Sequence, residues 1–378
     1  MNKKINLNFR NLILITLLSI LSVYTLPSWL SLNNKNSVII ISLFFILFIS
    51  IFVSSNEAKW KSYDIINMIL LLVLIILGLA THDLIVVFIA IMSIGMYFYD
   101  FNTIFYIYGI NQLIILCMYI LLTLLKIVPS FDEQGYFVLG FTNKNVLGFV
   151  LMNVFVFLIN INITAKITKI IRVLILLVLF FIVYQYTSDR TVALLMLVTF
   201  VLHWISKTKN GVSRSVKLLI VSLPIILTVL SIFLAKNYAR YTWIQHLDIF
   251  LSSRIKIWSE YWNTFNISWF PQNINIFNYN FTPGEPLLIR EAMDGFFALG
   301  LLQHGIIIFS IFIILLMVAL YYSSKHYNSI LLISLIVYTL MCFSEYSPLT
   351  YYSSSFLFPF VLSELGRENR ERDELISY

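Results

Sequence analysis

The sequence predicts an all-α, polytopic integral membrane protein with about twelve transmembrane helices and one long extracellular loop. Three observations carry this. Hydrophobic residues fill 60% of the 378 positions, while charged residues make up only 11%, against about 25% in soluble domains. The apolar residues fall into runs long enough to cross a hydrocarbon core, which takes about 20 residues per helix. Lysine and arginine are distributed unevenly between alternate connections, as the positive-inside rule requires.

The expected spans are 11–31, 37–54, 64–81, 83–99, 102–127, 145–163, 168–187, 191–207, 216–235, 295–322, 328–344 and 349–364. The first follows a basic start (Lys3, Lys4, Arg10) with no small-residue cleavage site after it, so it reads as an uncleaved membrane helix. Only Thr81-His82-Asp83 separates the third and fourth spans, and Pro359 interrupts the last. The chain thus divides into residues 1–235 (spans one to nine), 236–294 (the long loop), 295–364 (spans ten to twelve) and a solvated tail, 365–378. With the N-terminus inside, only Lys35, Lys126, Lys144 and Arg190 fall on short outer turns, and sixteen of the 25 basic residues lie inside. The other five, Lys236, Arg240, Arg254, Lys256 and Arg290, lie in the long loop. Both termini are therefore expected in the cytoplasm and the loop outside, at a cytoplasmic membrane.

The net charge of +7 is explained by this topology and gives no reason to expect nucleic acid. Cys117 and Cys342 sit in apolar runs and read as packing residues. No Cys/His cluster suggests a metal, and no cofactor is expected. The span interiors carry almost no charge, whereas transporters and pumps usually bury acidic or basic groups near the midplane. No internal repeat at a fixed period is evident, and an inverted repeat would have favoured a transporter. His203 reads as an interfacial hydrogen-bonding residue, and His304 as a helix-packing residue or a site residue.

Ionisable groups gather on the outer side instead. Lys144 and Asn145 open the sixth span, Asp189 and Arg190 lie between the seventh and eighth, and Glu345 begins the last external turn. The loop contributes Arg240, His246, Arg254, Lys256, Glu260, Arg290, Glu291 and Asp294. Four segments delivering such groups to one face suggest a composite pocket. Ordinary interfacial residues and loop salt bridges are the plainer reading of the same set.

Within the loop, Leu251, Ile255, Trp258, Trp262 and Phe265 recur at spacings of four and three, one apolar stripe of a helix. Such a helix is expected to lie flat in the outer interface with its tryptophans among the headgroups. Arg254 beside the stripe would then reach a lipid diphosphate or snorkel to phospholipid headgroups. Residues 270–284, rich in Asn, Phe, Tyr, Pro and Gly, read as irregular loop.

Four segments resemble the bacterial O-antigen ligase and Wzy-type polysaccharide polymerase superfamily over roughly residues 135–310. Asn143-Lys144-Asn145-Val146-Leu147-Gly148 is similar to the Asn-x-x-Gly start of a helix after an external turn, although a proline commonly stands where Lys144 is. Ser188-Asp189-Arg190-Thr191 resembles a Ser-Arg-Thr segment, and Ser252-Ser253-Arg254 followed by Trp258 resembles a Ser-Gly-Arg…Trp segment. Asp294-Gly295-Phe296-Phe297, with Gly305-Ile306 after it, resembles an Asp/His-Asn-x-Tyr-Leu…Gly-Ile segment. Gly295 replaces the usual Asn, and Asp294, where ligases carry His, favours polymerase over ligase.

The resemblance implies a GT-C-like helical fold. It also implies joining of polyprenyl-diphosphate-linked oligosaccharide repeat units, for capsule, exopolysaccharide or O-antigen, at the outer membrane face. Membrane lipid and other polysaccharide-assembly proteins would be partners. Arg190, Arg254, Arg240 and Arg290, with His246, Lys144 and Asn145, would bind the diphosphate and glycan, since guanidinium matches phosphate oxygens. Asp294 or Glu345 would be the base. A fixed arginine would do the electrostatic work otherwise done by a metal. The alternatives are a lipid-linked oligosaccharide flippase, a ligase-type glycan transferase and a SEDS-type polymerase, whose motifs are not found.

Overall fold

The structure is a computed structural model that describes residues 62–81, 86–87, 90, 101–132, 135–141, 144–161, 166–187, 190–208, 211–251, 253–272, 274, 294–325 and 329–345. Among these residues there are ten named α-helices: α1 (Ser62–Ala80), α2 (Phe101–Leu124), α3 (Lys144–Asn160), α4 (Lys166–Ile182), α5 (Arg190–Thr208), α6 (Arg214–Asn237), α7 (Thr242–Phe250), α8 (Arg254–Thr264), α9 (Phe296–Lys325) and α10 (Ser329–Ser344). The final turn of α4 widens into a π turn, Val183–Thr187. No strand occurs among the described residues; Phe131 and Phe137 form one isolated antiparallel bridge.

Eight expected spans are present as helices with ends shifted by a few residues. The spans at 11–31, 37–54 and 349–364 lie outside the described residues, as does the 365–378 tail. Of 83–99 only residues 86, 87 and 90 are described, all helical. Four segments are long and apolar enough to cross a membrane: Ile104–Leu124, Ile170–Thr187, Arg214–Asn237 and Phe296–Lys325. Their outward faces are apolar, with Leu121, Leu177 and Val229 all well exposed. Such a belt suits hydrocarbon and not water.

Helices α3 and α10 are apolar all round and form the centre of the bundle, as that pattern predicts. Fourteen residues of α3 are buried. Its one mid-helix polar group, Asn153, donates from Nδ2 to Tyr108 Oη of α2 at 2.6 Å and accepts from Tyr338 Oη of α10 at 2.5 Å. Three helices are thereby tied together inside the apolar core. His203 makes a side-chain hydrogen bond: its Nδ1 lies 3.2 Å from Asn160 Oδ1, near the C-terminal ends of α5 and α3.

Two expectations are corrected. The tenth span is not continuous. Gly305 breaks α9 with φ 71° and ψ 171°, and a returning piece of the long loop fills the break. Gln272 donates from its backbone N to Gln303 O (3.0 Å) and from Nε2 to Leu302 O (2.9 Å). Ile306 N and Ile307 N donate to Ser268 O (2.9 Å) and Trp269 O (3.3 Å). A β carbon on residue 305 would stand 2.5 Å from the Phe270 carbonyl carbon, so only glycine allows this approach.

The second correction concerns α8. Its stripe is real, but it packs on protein: Trp258 is fully buried and Trp262 nearly so, against α6 and α9. The indole N–H groups explain why. Trp258 Nε1 donates to Asp294 O at 2.6 Å and Trp262 Nε1 to Ala298 O at 2.8 Å. Lys236 Nζ lies 5.0 Å above the Trp262 ring. With polar tips and flat faces both satisfied by the protein, neither ring is left for the headgroup region.

Candidate functional site

The site is built at the start of α8. The preceding helix α7 carries Asp248, which is buried. Ser253, at the N-cap position, takes a left-handed conformation (φ 64°) and makes no side-chain cap. Asp248 caps instead: its Oδ1 accepts from Ile255 N at 2.7 Å and Lys256 N at 3.3 Å, while Ser253 N donates to its carbonyl at 2.9 Å. A carboxylate at a helix N-terminus satisfies orphan N–H groups and complements the helix dipole. Tyr238, just past α6, hydrogen-bonds the same side chain. Burial first, and the Asp248 charge second, raise its phenol above the usual range.

This cap fixes Arg254 as the first residue of α8. Its guanidinium points inward and is buried. Nε donates to Asp294 Oδ2 at 3.3 Å, and Nη2 makes a short hydrogen bond to Glu345 Oε1. Asp294 lies two residues before α9, and Glu345 directly follows α10. Phe296 N donates to Glu345 O at 3.4 Å, joining those two helix ends. One arginine therefore bridges three segments separated by 40 and 91 positions.

Trp258, one turn after Arg254, holds the assembly in register. Besides its bond to Asp294 O, its ring lies edge-on to Phe343, with centroids 5.5 Å apart. Gly295 sits against the indole with φ 90°, and a β carbon there would stand 2.7 Å from the ring atoms. Any side chain at 295 would clash at this spot, which accounts locally for the glycine.

The three charges differ in access. The Glu345 side chain is 1% exposed, that of Arg254 9% and that of Asp294 20%. Asp294 is thus the member that faces outward. Arginine stays protonated in proteins, so a fixed positive charge lies against both carboxylates. The expectation that Arg254 itself reaches out to a diphosphate does not match this geometry: it points into the protein.

The other described candidate residues lie on α3, α5, α7 and α9 and in the turn after α6. Arg190 is exposed at the first turn of α5. Helix α5 packs on α10, and its far end meets the start of α10; Arg190 therefore belongs to the same end of the bundle as Glu345. Arg240 is exposed, its guanidinium 5.4 Å from the Tyr241 ring centre. His246 is exposed on α7. Lys144 sits 3.5 Å over the Tyr136 ring, and Asn145 is half-buried at the start of α3. Asp189, Arg290 and Glu291 lie outside the described residues. His304 is fully buried between the Phe296 and Phe312 rings, a packing environment.

Sequence reasoning missed α7, Asp248 and the positioning role of Trp258. Ile244, Leu247 and Leu251, at spacings of three and four, were the available signal for α7. Asp248 had none, because it caps from inside another helix. No family model, curated protein or solved structure matches the chain.

Proposed function

We propose that this protein is a polysaccharide polymerase of the superfamily it resembles, with about twelve spans and a GT-C-like arrangement. It joins polyprenyl-diphosphate-linked oligosaccharide repeat units at the outer face of the cytoplasmic membrane. The observation that carries this reading is the Arg254–Asp294–Glu345 cluster: a buried cation holding two carboxylates, one of them partly open, at the end of an apolar bundle.

In the proposed reaction an acceptor sugar hydroxyl attacks the anomeric carbon of the donor. The new C–O bond forms as the bond from that carbon to the diphosphate oxygen breaks, and the electron pair leaves with the lipid diphosphate. Asp294 accepts the hydroxyl proton, being the more accessible carboxylate. Arg254 keeps Asp294 ionised and oriented, and Glu345 fixes Arg254 from the buried side. Arg190, Arg240 and His246, exposed at the same end, supply positive charge or hydrogen bonds to the leaving diphosphate.

A flippase remains the reading from another class, because discontinuous helices are common in transporters. Here the break in α9 is filled by the protein's own segment 266–272, which favours the enzyme. The test uses purified protein in nanodiscs with a lipid-linked repeat unit and no nucleotide sugar or ATP. Glycan lengthening that drops about 100-fold or more in Asp294→Asn supports the reading, as expected on removing a general base. Substrate movement across a vesicle bilayer without lengthening supports the flippase. Full activity in both Asp294→Asn and Glu345→Gln overturns the mechanism.

A further inference from the structure

At the end of the bundle opposite the arginine cluster, α5, α6 and α10 diverge and leave a cavity of about 380 Å³. This is within the range of small-molecule sites, about 300–1,000 Å³. Its walls are mainly apolar: Leu202 and Ile205 from α5, Val216 and Ile220 from α6, Leu332 and Ile336 from α10. Hydroxyls of Ser206, Ser213 and Ser329 occur only at positions near the helix ends, so the lining passes from apolar to polar along the bundle axis. An occupant that fits such a wall has a hydrocarbon part and a polar end.

The charged residues that flank the described lining positions in the chain are all positive. Arg214 follows the lining Ser213, Lys217 follows the lining Val216, and Lys325 closes α9 four residues before the lining Ser329. Arg214 and Lys325 are exposed and Lys217 is half-exposed. Lys207 and Lys209 add two more cations to the same connection in the sequence. No Asp or Glu occurs anywhere between Arg190 and Asp248, so no acid in that stretch offsets them. The Lys and Arg bias assigns this end to the cytoplasmic leaflet, where anionic headgroups attract basic segments.

We infer that the cavity between α5, α6 and α10 is a binding site for an anionic phospholipid. One acyl chain lies along Leu202, Val216, Ile220, Leu332 and Ile336, and the phosphate sits at Arg214 and Lys217. The site is remote from the proposed chemistry and does not depend on it. Val216 and Ile205, partly exposed, leave the side of the cavity accessible from the surrounding apolar belt, which gives a chain a route in from the bilayer.

The test measures lipid retention by native mass spectrometry on the full-length protein. Phosphatidylglycerol and phosphatidylcholine with the same acyl chains are compared. Phosphatidylglycerol is expected to be retained selectively. Arg214→Gln should weaken retention about fivefold, and Arg214→Gln/Lys217→Gln about 25-fold, following roughly 1 kcal/mol per surface basic residue. Val216→Trp, which fills the cavity from its open side, should remove the bound lipid. Equal retention of the two lipids overturns the inference. So does undiminished phosphatidylglycerol binding in the double charge variant, which alters exposed side chains and decides the question even if Val216→Trp fails to fold.

Discussion

Replacing Arg254 by Met removes the charge and keeps a side chain of similar length. Glu345, with 1% of its side chain exposed, then has a buried carboxylate beside that of Asp294 and no guanidinium between them. Removing one partner of a buried ion pair costs about 3–5 kcal/mol. The Asp294 side chain is a fifth exposed, so water screens its share, and a value near about 3 kcal/mol is expected. Glu345→Gln in the same background removes the stranded charge and should restore most of the loss. The coupling between the two substitutions should therefore be about 2 kcal/mol, within the usual span for directly paired groups. Arg254→Lys should fall between, because one ammonium cannot reproduce donation from both Nε and Nη2. The assay is unfolding in detergent, followed by loss of the monomer peak on size exclusion after graded heating or denaturant. A variant Arg254→Met within about 0.5 kcal/mol of the native protein, or additive effects of the two substitutions, would refute the idea that this arginine holds the three segments together.

Other expectations follow from single contacts. Gly295→Ala puts a β carbon 2.7 Å from the Trp258 indole at φ 90°; it should destabilise by about 1–3 kcal/mol, and Gly295→Ala/Trp258→Phe should recover part of that in the same unfolding assay. Gly305→Ala should speed hydrogen exchange at the Ile306 and Ile307 amides, which are bonded to Ser268 O and Trp269 O; unchanged protection would show that segment 266–272 does not depend on the glycine. Asn153→Leu strands the Tyr108 and Tyr338 hydroxyls and should cost about 1–2 kcal/mol, measured by denaturant unfolding. In a cysteine-free background, Gln245→Cys should react with an impermeant thiol reagent in intact cells and Ser215→Cys only after lysis; the reverse pattern would invert the orientation.

The described part of the bundle was legible in the sequence because each of its long helices declares itself locally. An apolar run between polar ends needs no partner to be recognised, and eight helices begin and end within a few residues of expectation. The apolar stripe of α8 was legible for the same reason. Its destination was not, since a stripe of Leu, Ile and Trp suits a lipid headgroup layer and a protein wall equally well. The burial of Trp258 and Trp262 depends on the carbonyls of Asp294 and Ala298, 36 positions away. The candidate site shows the same division. Arg254, Asp294 and Glu345 could each be picked out as ionisable groups on the outer side. That they bond to one another, and that Arg254 points inward, depends on contacts across 40 and 91 positions, which no local pattern encodes. The break at Gly305 was hidden because a glycine within an apolar run reads as an ordinary helix position until another strand of backbone is seen to lie against it.

The divided helix α9 also bears on how the protein is made. Its 30 residues would form a rod of about 45 Å if unbroken, at about 1.5 Å per residue, while the hydrocarbon core is about 30 Å thick. The stretch after Gly305 alone matches that thickness. During synthesis the apolar run enters the bilayer most simply as one uninterrupted helix, since every backbone group in lipid must find a partner. Residues 302–307 can give up their mutual hydrogen bonds only when Ser268, Trp269 and Gln272 stand ready to replace them. Those residues are translated earlier and lie in the loop expected outside. The broken shape of α9 therefore depends on a segment outside the helix, and the two can only take their final form together.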